Sequence, residues 1–285
     1  MRYNTIEYNI WRWLKLKKII RLVLLVGIVA FAATIASRFN SIMSQMCAMV
    51  LSAICGCLIA PIGEFIDTKG QGIKVWYQSQ VKYRNKDVYL SFAYLYKIEI
   101  DGKFLFIRGN RLKDRYQPIG GVYKYYEEAK DFLRSIQALP SVKMQNEEDS
   151  DDLRLTIKGK HYLAFYEWFV SMINREFDPR REFFEELVKP GIIPGETFES
   201  FKYSRNHTHN VGFTYSTPLQ MPEVIYADVF ELKLNSEQKN VLRTAVNENP
   251  ELLCLATSDE IKCRRVNGAI EMNLGNNALW IIGEE

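Results

Sequence analysis

Three glutamates and one arginine fall within a short segment in the C-terminal half of the chain. The segment is Arg181-Glu182-Phe183-Phe184-Glu185-Glu186-Leu187. Because residues three and four apart share one face of a helix, Glu182, Glu185 and Glu186 are expected to lie together. Clustered carboxylates repel one another unless a positive charge lies among them, and Mg²⁺ prefers such oxygen ligands. The pattern therefore indicates a magnesium site or, as on many helices, a solvated acidic face.

A glycine-rich segment upstream supplies a second part of the pattern. It runs from Gln117 to Gly121, and Glu127 follows Gly121 after five residues. Gly-x5-Glu followed by Arg-Glu-apolar-x-Glu-Glu resembles the Nudix box in two pieces. The family places seven residues between these pieces, whereas 53 residues separate Glu127 from Arg181 here. We therefore expect an insertion over about residues 130–177, and Val188 stands where the family has a glycine.

The resemblance to the Nudix family implies a fold and roles for individual residues. The implied fold is an α/β/α sandwich in which the box forms a loop, a helix and a second loop. Its glutamates bind Mg²⁺, which neutralises a diphosphate and helps to activate water. The implied metal ligands are Glu182, Glu185 and Glu186, with Glu185 and Glu186 as the catalytic pair if the site is active. The implied ligand-binding residues are Gly120, Gly121 and Arg181, the arginine orienting the glutamates.

Three further residues are candidates for ligand contact. Tyr123 could stack on a nucleobase, and packing in the core or on the surface is the alternative. His207 and His209 lie in Asn206-His-Thr-His-Asn210. Because the segment has no cysteine nearby and the chain has three histidines, a polar loop touching ligand phosphate is preferred to a metal site.

The elements that must position these residues form a mixture of strands and helices, which predicts an α+β or α/β domain over residues 76–285. Asp101-Gly102 between two β-rich runs predicts a hairpin. The predicted strands are Val88–Ile100, Lys103–Ile107, Leu153–Ile157, Val211–Tyr215 and Val224–Leu232. The predicted helices are Tyr162–Phe177, a second one that starts at Asp178-Pro179 and ends before Pro190, Ser236–Val246, and a short one with a capping box at Thr257–Glu260.

The N-terminal region has a different composition. Leu22–Gly63 contains a single charged residue, Arg38, which leaves room for two membrane crossings. We predict transmembrane helices over residues 19–37 and 41–63, a basic cytoplasmic N-terminus over residues 1–18 and a linker over residues 64–75. The excess of basic residues before Leu22 favours cytoplasmic placement of the N-terminus, and two crossings return the C-terminus to the cytoplasm. A cleaved signal peptide would not explain the second apolar run.

Small residues recur every four positions in the second predicted crossing. They are Ser44, Ala48, Ser52, Gly56 and Ala60. Such a stripe lets helix backbones approach closely in lipid. It is expected to pack either between the two helices of one hairpin or between protomers of an assembly.

Charge is segregated along the chain. The formal net charge of +3 arises from about +6 in residues 1–63 and about −3 in residues 64–285. A mildly acidic C-terminal domain argues against DNA as a partner, so a bound nucleotide must be held by a local pocket or a metal. Five cysteines in 285 residues are too few for a disulfide scaffold.

The combination of a two-helix hairpin with a split Nudix box resembles the membrane-anchored Nudix effectors of cyclic-oligonucleotide-based antiphage signalling systems (CBASS). The resemblance implies a bacterial inner-membrane protein. Its Nudix-like domain would sense a cyclic oligonucleotide made by a cognate nucleotidyltransferase (CD-NTase), oligomerise and disrupt the membrane lipid. The alternative is a membrane-anchored, Mg²⁺-dependent Nudix hydrolase of a nucleoside diphosphate derivative, and a third is an inert scaffold.

Overall fold

The computed structural model describes residues 72–109, 115–141, 151–266 and 272–284. Ile73–Glu285 forms one compact unit. The predicted transmembrane helices over residues 19–37 and 41–63, and the stripe of small residues, lie outside the described residues. Among the helices that the structure describes, none is long and apolar enough to cross a membrane.

Two mixed β-sheets form the framework of this unit. The first has the strand order β6-β7-β1-β10-β8, with β5 beside β1 and β9 beside β10. The second has the order β11-β3-β4-β13-β12, with β2 beside β3. The strands are β1 (Asp87–Lys97), β2 (Glu99–Ile100), β3 (Lys103–Arg108), β4 (Arg115–Gln117), β5 (Gly120–Val122), β6 (Leu139–Pro140), β7 (Arg154–Lys158), β8 (Lys202–His209), β9 (Phe213–Ser216), β10 (Met221–Lys233), β11 (Leu253–Ala256), β12 (Arg265–Val266) and β13 (Met272–Leu274).

The parallel pair β1 and β10 lies at the centre of the first sheet and separates two cores. Side chains alternate between the faces of a strand, so Phe92, Tyr94 and Tyr96 point into the larger core. Leu95 of β1 and Val229 of β10 point into the smaller core, on the opposite face. Both faces of this pair are therefore covered, as the apolar sequence of β1 requires.

Besides the α-helical residues 72–77, the described part of the unit contains five α-helices. They are α1 (Lys130–Ser135), α2 (Tyr162–Ser171), α3 (Arg180–Phe183), α4 (Ser236–Glu248) and α5 (Ser258–Cys263). The capping box predicted at Thr257–Glu260 is confirmed at the start of α5. The mixed sheets with helices agree with an α/β Nudix-like domain.

The hairpin predicted at Asp101-Gly102 is confirmed. Both residues have positive φ, 53° and 76°, as a tight turn between antiparallel strands requires. Glu99 pairs with Phe104 and Ile100 with Lys103 across it. The predicted strand before the turn is in fact two strands, because β1 ends at Lys97 and β2 begins at Glu99.

The helix predicted over Tyr162–Phe177 is too long. It ends at Ser171, and Met172 takes a left-handed conformation with φ of 58°. Met172 and Ile173, which lie in the segment predicted as helix, are 56% and 61% exposed. The chain turns here because the buried Arg175 donates from Nε to the carbonyl of Phe169, 2.6 Å away, and so closes the last turn.

The predicted insertion over residues 130–177 contributes to both the sheet and the core. Its strand β7 pairs antiparallel with β1, from Asp87 opposite Lys158 to Ser91 opposite Arg154. Phe165 and Phe169 of α2 pack edge-on against Phe92 of β1. The insertion is thus an integral part of the domain, since its removal would expose one side of β1.

Candidate functional site

The helix that carries the three glutamates begins at Arg180, two residues after the predicted start at Asp178, and Pro179 is its N-cap. Asp178 Oδ1 accepts a hydrogen bond from the N–H of Arg180 at 3.1 Å, which satisfies a free amide of the first turn. After α3 the chain continues as a π-helical turn over Phe184–Val188, and the N–H of Lys189 donates to the carbonyl of Phe184. The buried Phe183 and Leu187 hold this helix on the larger core.

The glycine pair lies on β5, directly beside β1. Gly121 is opposite Tyr94 and Gly120 is opposite Leu95. Gly120 has a φ of 146°, and a Cβ there would lie 2.2 Å from the carbonyl oxygen of Tyr94. Only glycine fits at this position, since both the conformation and the contact with backbone exclude a side chain.

The tertiary structure brings the two separated pieces of the motif together. The N–H of Gly120 donates to Glu186 Oε2 at 3.0 Å. A Cβ on Gly121 would lie 2.0 Å from the Glu182 carboxylate, so this side chain lies flat against the glycine. The two glycines and these two glutamates therefore form one site.

Arg181 links the carboxylates of the site. Its Nη1 donates to Glu182 Oε1 at 2.7 Å and to Glu185 Oε2 at 3.0 Å. Its Nη2 donates to the carbonyl of Val122 at 2.9 Å, which ties the helix to β5. Arg181 therefore contacts Glu182 and Glu185, two of the three glutamates that the resemblance expects it to orient.

A fourth glutamate, Glu176, joins the site and was not predicted. Its Oε1 accepts from Arg181 Nε at 3.0 Å, and its Oε2 accepts from Arg181 Nη2 and from the N–H of Lys124, each at 3.2 Å. Glu176 is buried, with 7% of its surface exposed. No periodicity relates it to the other glutamates because the chain turns at Met172, so the sequence contains no signal for this contact.

Burial changes the proton affinity of two of the predicted metal ligands. Withdrawal from water raises the pKa of Glu186 to about 8, although the hydrogen bond from the N–H of Gly120 opposes the shift. Burial also raises the pKa of Glu182, and the adjacent Arg181 opposes this. Within the described part of the chain, Glu186 has no paired arginine or lysine, unlike Glu182 and Glu185. Glu186 is therefore the carboxylate that a cation would stabilise most.

The donor chemistry of the site suits Mg²⁺, since its free oxygens are carboxylates. Among the residues that the structure describes, no group of three or more His, Cys, Asp or Glu side chains is arranged to hold a metal ion. Glu182 and Glu185 instead point their oxygens at Arg181. Binding of Mg²⁺ by these residues together with Glu186 would require both to turn partly away from the guanidinium.

Tyr123 lies in the core next to this site. It is 2% exposed, and its hydroxyl donates to Asp228 Oδ2 at 2.9 Å. Its ring packs against Tyr94 and Phe169, with the guanidinium of Arg175 4.9 Å from the ring centroid. The ring therefore has no exposed face on which a nucleobase could stack.

Asp228 is the centre of a polar network that the sequence analysis missed. Thr208 Oγ1 and the hydroxyl of Tyr226 both donate to its Oδ1, at 2.7 and 3.1 Å. Arg205 Nη2 pairs with the same oxygen at 2.6 Å. A 5%-exposed carboxylate is stable here because four donors, including Tyr123, surround it.

His207 and His209 lie on the other face of the first sheet. They pair with Val229 and Ala227 of β10, whose side chains belong to the smaller core, whereas Thr208 between them contacts Asp228 on the larger-core face. His207 Nε2 is 2.7 Å from the carbonyl oxygen of Trp280. His209 stacks on the Trp280 ring at 4.3 Å. They are strand residues and not a loop, and the sheet separates them from the glutamates.

A glycine strand against a helix with a glutamate–arginine cluster, on a mixed α/β framework, is the arrangement of a Nudix-type domain. The model of one family, the SMODS-associated NUDIX domain, matches residues 87–282, which is more than half of the chain. The chain therefore belongs to the SMODS-associated NUDIX family. Comparison with curated proteins and with solved structures gave no match.

Membership of this family indicates a role in SMODS-type signalling systems, whose messengers are nucleotides. Nudix domains generally use a divalent metal such as Mg²⁺, which agrees with the carboxylate donors of the site. The match begins at the first residue of β1 and ends within the last helical turn of the domain, so it includes the predicted insertion.

Proposed function

We propose that this protein is a membrane effector of a cyclic-oligonucleotide signalling system. Its Nudix-like domain binds a cyclic oligonucleotide made by a cognate nucleotidyltransferase. Binding favours an oligomer, and the N-terminal hairpin then disrupts the bacterial inner membrane. The observation that supports this most strongly is the reassembled site, in which the N–H of Gly120 meets Glu186 although 65 residues lie between them. A motif so widely separated is brought together only by the complete fold, which is expected where the site serves function.

The ligand class follows from the family and from the charges of the site. The family is associated with SMODS proteins, so a nucleotide second messenger is the natural ligand. Three glutamates share Arg181, which leaves the site acidic on balance. A phosphate diester would therefore bind with Mg²⁺ as a bridge, the ion resting on the carboxylates of Glu182, Glu185 and Glu186.

The membrane part of the proposal rests on the sequence. Leu22–Gly63 has the length and composition of two crossings, and the basic residues before it favour cytoplasmic termini. Ligand binding that selects an oligomer of the domain would bring several hairpins together. The stripe that includes Gly56 would then pack between protomers.

The test uses the full chain in proteoliposomes loaded with a self-quenched dye. Cyclic di- and trinucleotides are added with and without Mg²⁺, and a linear dinucleotide serves as the control ligand. We expect dye release with one cyclic ligand and recovery of that ligand intact by chromatography. Dye release that is equal with the linear control would contradict the sensor function.

A substitution separates the role of the stripe from ligand binding. Gly56→Leu places a large side chain where close helix packing is proposed, so we expect it to abolish dye release and leave the ligand affinity unchanged. Gly56→Ala, which keeps a small side chain, is the matched control and should retain release. If Gly56→Leu releases dye as the parent does, the stripe has no part in the mechanism.

Hydrolysis of a nucleoside diphosphate derivative is the second candidate. It is favoured by the complete set of three glutamates and by Glu186, whose pKa near 8 would let it exchange a proton at neutral pH. Steady release of phosphate or monophosphate, abolished by Glu185→Gln, would establish this activity. Under the sensor proposal Glu185→Gln weakens Mg²⁺-dependent binding and no product accumulates with either protein.

A further inference from the structure

The first helix of the described domain carries large apolar side chains on its exposed surface. Residues 72–77 form α-helix, and Gln78–Lys82 continue it as a π-helical turn. The exposed apolar residues are Ile73 (46%), Trp76 (52%), Tyr77 (53%) and Val81 (53%). Their spacing of three and four residues places them along one side of the helix. We call this side the apolar stripe of residues 73–81.

The opposite side of the same helix is fixed to the domain. Gln78 Nε2 donates to the carbonyl of Phe213 at 3.4 Å, and Ser79 is fully buried. Tyr83, just after the helix, stacks on the Phe213 ring with centroids 5.6 Å apart. Since the helix is held by these polar and aromatic contacts, its rotation is fixed and the apolar stripe must face outward.

The segment that carries the apolar stripe is basic. Residues 72–86 contain four basic side chains and no acidic one, in a domain that is acidic overall. The four are Lys74, Lys82, Arg84 and Lys86, and all of them are exposed. Lys160 is held beside them, because its N–H donates to the carbonyl of Arg84 at 3.0 Å. The first acidic residue after the segment, Asp87, is paired with Lys158 at 2.9 Å.

The position of this surface in the chain limits its distance from the predicted bilayer. The second predicted crossing ends at Gly63, and eight residues separate it from the helix that begins at Gly72. Even a fully extended segment of that length spans at most about 30 Å. A surface so close to a crossing, with indole, phenol, aliphatic and cationic groups, has the composition that binds the headgroup layer.

We propose that residues 72–86 dock on anionic phospholipid headgroups, with the apolar stripe in the interfacial layer and the cations on the phosphates. The inference deepens the proposed function and rests on it for the presence of a membrane crossing. Docking would fix the sensor domain against the bilayer surface, so that a change in its assembly is transmitted directly to the hairpin. Each cation near an anionic surface strengthens such docking roughly fivefold.

The experiment uses the full chain in proteoliposomes and the fluorescence of Trp76. Because other tryptophans contribute, the signal of interest is the difference between the parent and Trp76→Phe. One set of vesicles contains brominated phosphatidylcholine alone, and the other also contains phosphatidylglycerol. We expect quenching of the Trp76 signal in the phosphatidylglycerol vesicles at about 0.1 M salt and its loss at about 1 M salt, where charges are screened.

A charge variant tests the role of the cations. Substitution of Lys82, Arg84 and Lys86 by Gln should weaken docking on the phosphatidylglycerol vesicles by roughly two orders of magnitude. A matched control replaces Lys103, Lys202 and Lys239 by Gln. Lys202 pairs with Lys233 at the end of β10 that is far from β9, and Lys239 lies on α4, which starts just after this end. Lys103 lies across the hairpin that follows the neighbouring end of β1. The control residues therefore lie at the opposite end of β1 from the docking surface, which directly precedes Asp87. The control variant should be quenched as the parent is.

Two results would overturn the proposal. The first is equal quenching of Trp76 in both vesicle types, or an equal loss of this quenching in the charge variant and in its control. The second is a decrease in the quenching of Trp76 as the ratio of protein to lipid rises, in both vesicle types. That result would mean that the apolar stripe of residues 73–81 packs against a second copy of the chain. Carbonate extraction separates this failure from that of the proposed function. Release of the whole chain by carbonate contradicts the membrane crossing itself, whereas retention with an unquenched Trp76 contradicts only the docking surface.

Discussion

The contact between Gly121 and Glu182 gives the sharpest test of the assembled site. A Cβ on Gly121 would lie 2.0 Å from the Cδ and Oε1 atoms of Glu182, so Gly121→Ala must displace that carboxylate. Displacement breaks the 2.7 Å ion pair between Glu182 and Arg181. A charge-assisted hydrogen bond of this kind contributes about 1.5–3 kcal/mol, so we expect the substitution to lower the free energy of unfolding by about 2 kcal/mol.

A double-mutant cycle isolates this contact from any general effect of alanine. In the Glu182→Ala background the obstructing carboxylate is absent, and Gly121→Ala should cost less than about 0.5 kcal/mol. The cycle therefore predicts a coupling of about 1.5 kcal/mol, within the range for residues in contact. The assay is urea unfolding of residues 64–285, which include the compact unit Ile73–Glu285. Mg²⁺ affinity of the same variants, measured by calorimetry, should fall with Gly121→Ala.

Gly120→Ala is the control that distinguishes a movable neighbour from an immovable one. Its Cβ would meet the backbone carbonyl of Tyr94 at 2.2 Å, and its φ of 146° is strained for alanine. Gly120→Ala is expected to lower the free energy of unfolding by more than about 3 kcal/mol, and the additional substitution Glu182→Ala should not reduce this effect. If Gly121→Ala costs the same in the two backgrounds, the packing of Glu182 on the glycine is refuted.

Two further predictions concern buried polar groups. A carboxyl whose pKa is raised in the folded state contributes stability at low pH, and this contribution is lost as the pH rises through the folded pKa. Because burial raises the pKa of Glu186 to about 8, Glu186→Gln should increase the free energy of unfolding by roughly 2 kcal/mol near pH 8 without Mg²⁺. Near pH 4 the same substitution should leave the free energy of unfolding unchanged. An equal gain at both values, in urea unfolding at each pH, would contradict the burial of this charge. Among the residues that the structure describes, none gives the buried hydroxyl of Tyr96 a hydrogen bond, so Tyr96→Phe should stabilise the fold by about 1 kcal/mol. Tyr123→Phe is the matched control and should destabilise the fold by about 1–2 kcal/mol, since Asp228 loses a hydrogen-bond donor. Both variants are measured by thermal unfolding. A shift of the unfolding temperature in the same direction for both would refute the assignment of the two hydroxyls.

Local patterns in the sequence predicted the local structure well. The turn at Asp101-Gly102 and the capping box at Thr257 are present, and the helix predicted from Asp178 starts two residues later, at Arg180. Each of these features depends on a few neighbouring residues. The contact of Arg181 with Glu185 also follows from helix spacing. Such features form from backbone geometry and side-chain hydrogen bonds over one or two turns, which a single sequence displays directly.

The length of α2 and the position of the histidines could not be predicted in the same way. The apolar periodicity of α2 continues past Ser171, but a hydrogen bond from the buried Arg175 ends the helix. His207 and His209 alternate with Thr208, and the alternation alone does not say which face meets the glutamates. The pairing of β8 with β10 decides that, and it turns the histidines toward Trp280.

By itself, the sequence determined the composition of the site: two glycines, an arginine and three glutamates in the order of a split Nudix box, and the charge and apolar segregation that divides the chain. Only the tertiary structure decided that these pieces meet and that Glu176 joins them. It also decided that Tyr123 is buried on Asp228 and that the insertion supplies β7 to the central sheet. The physical reason is that composition and spacing act locally, whereas these contacts depend on strand register and on the burial of charge, which arise when distant segments pack against one another.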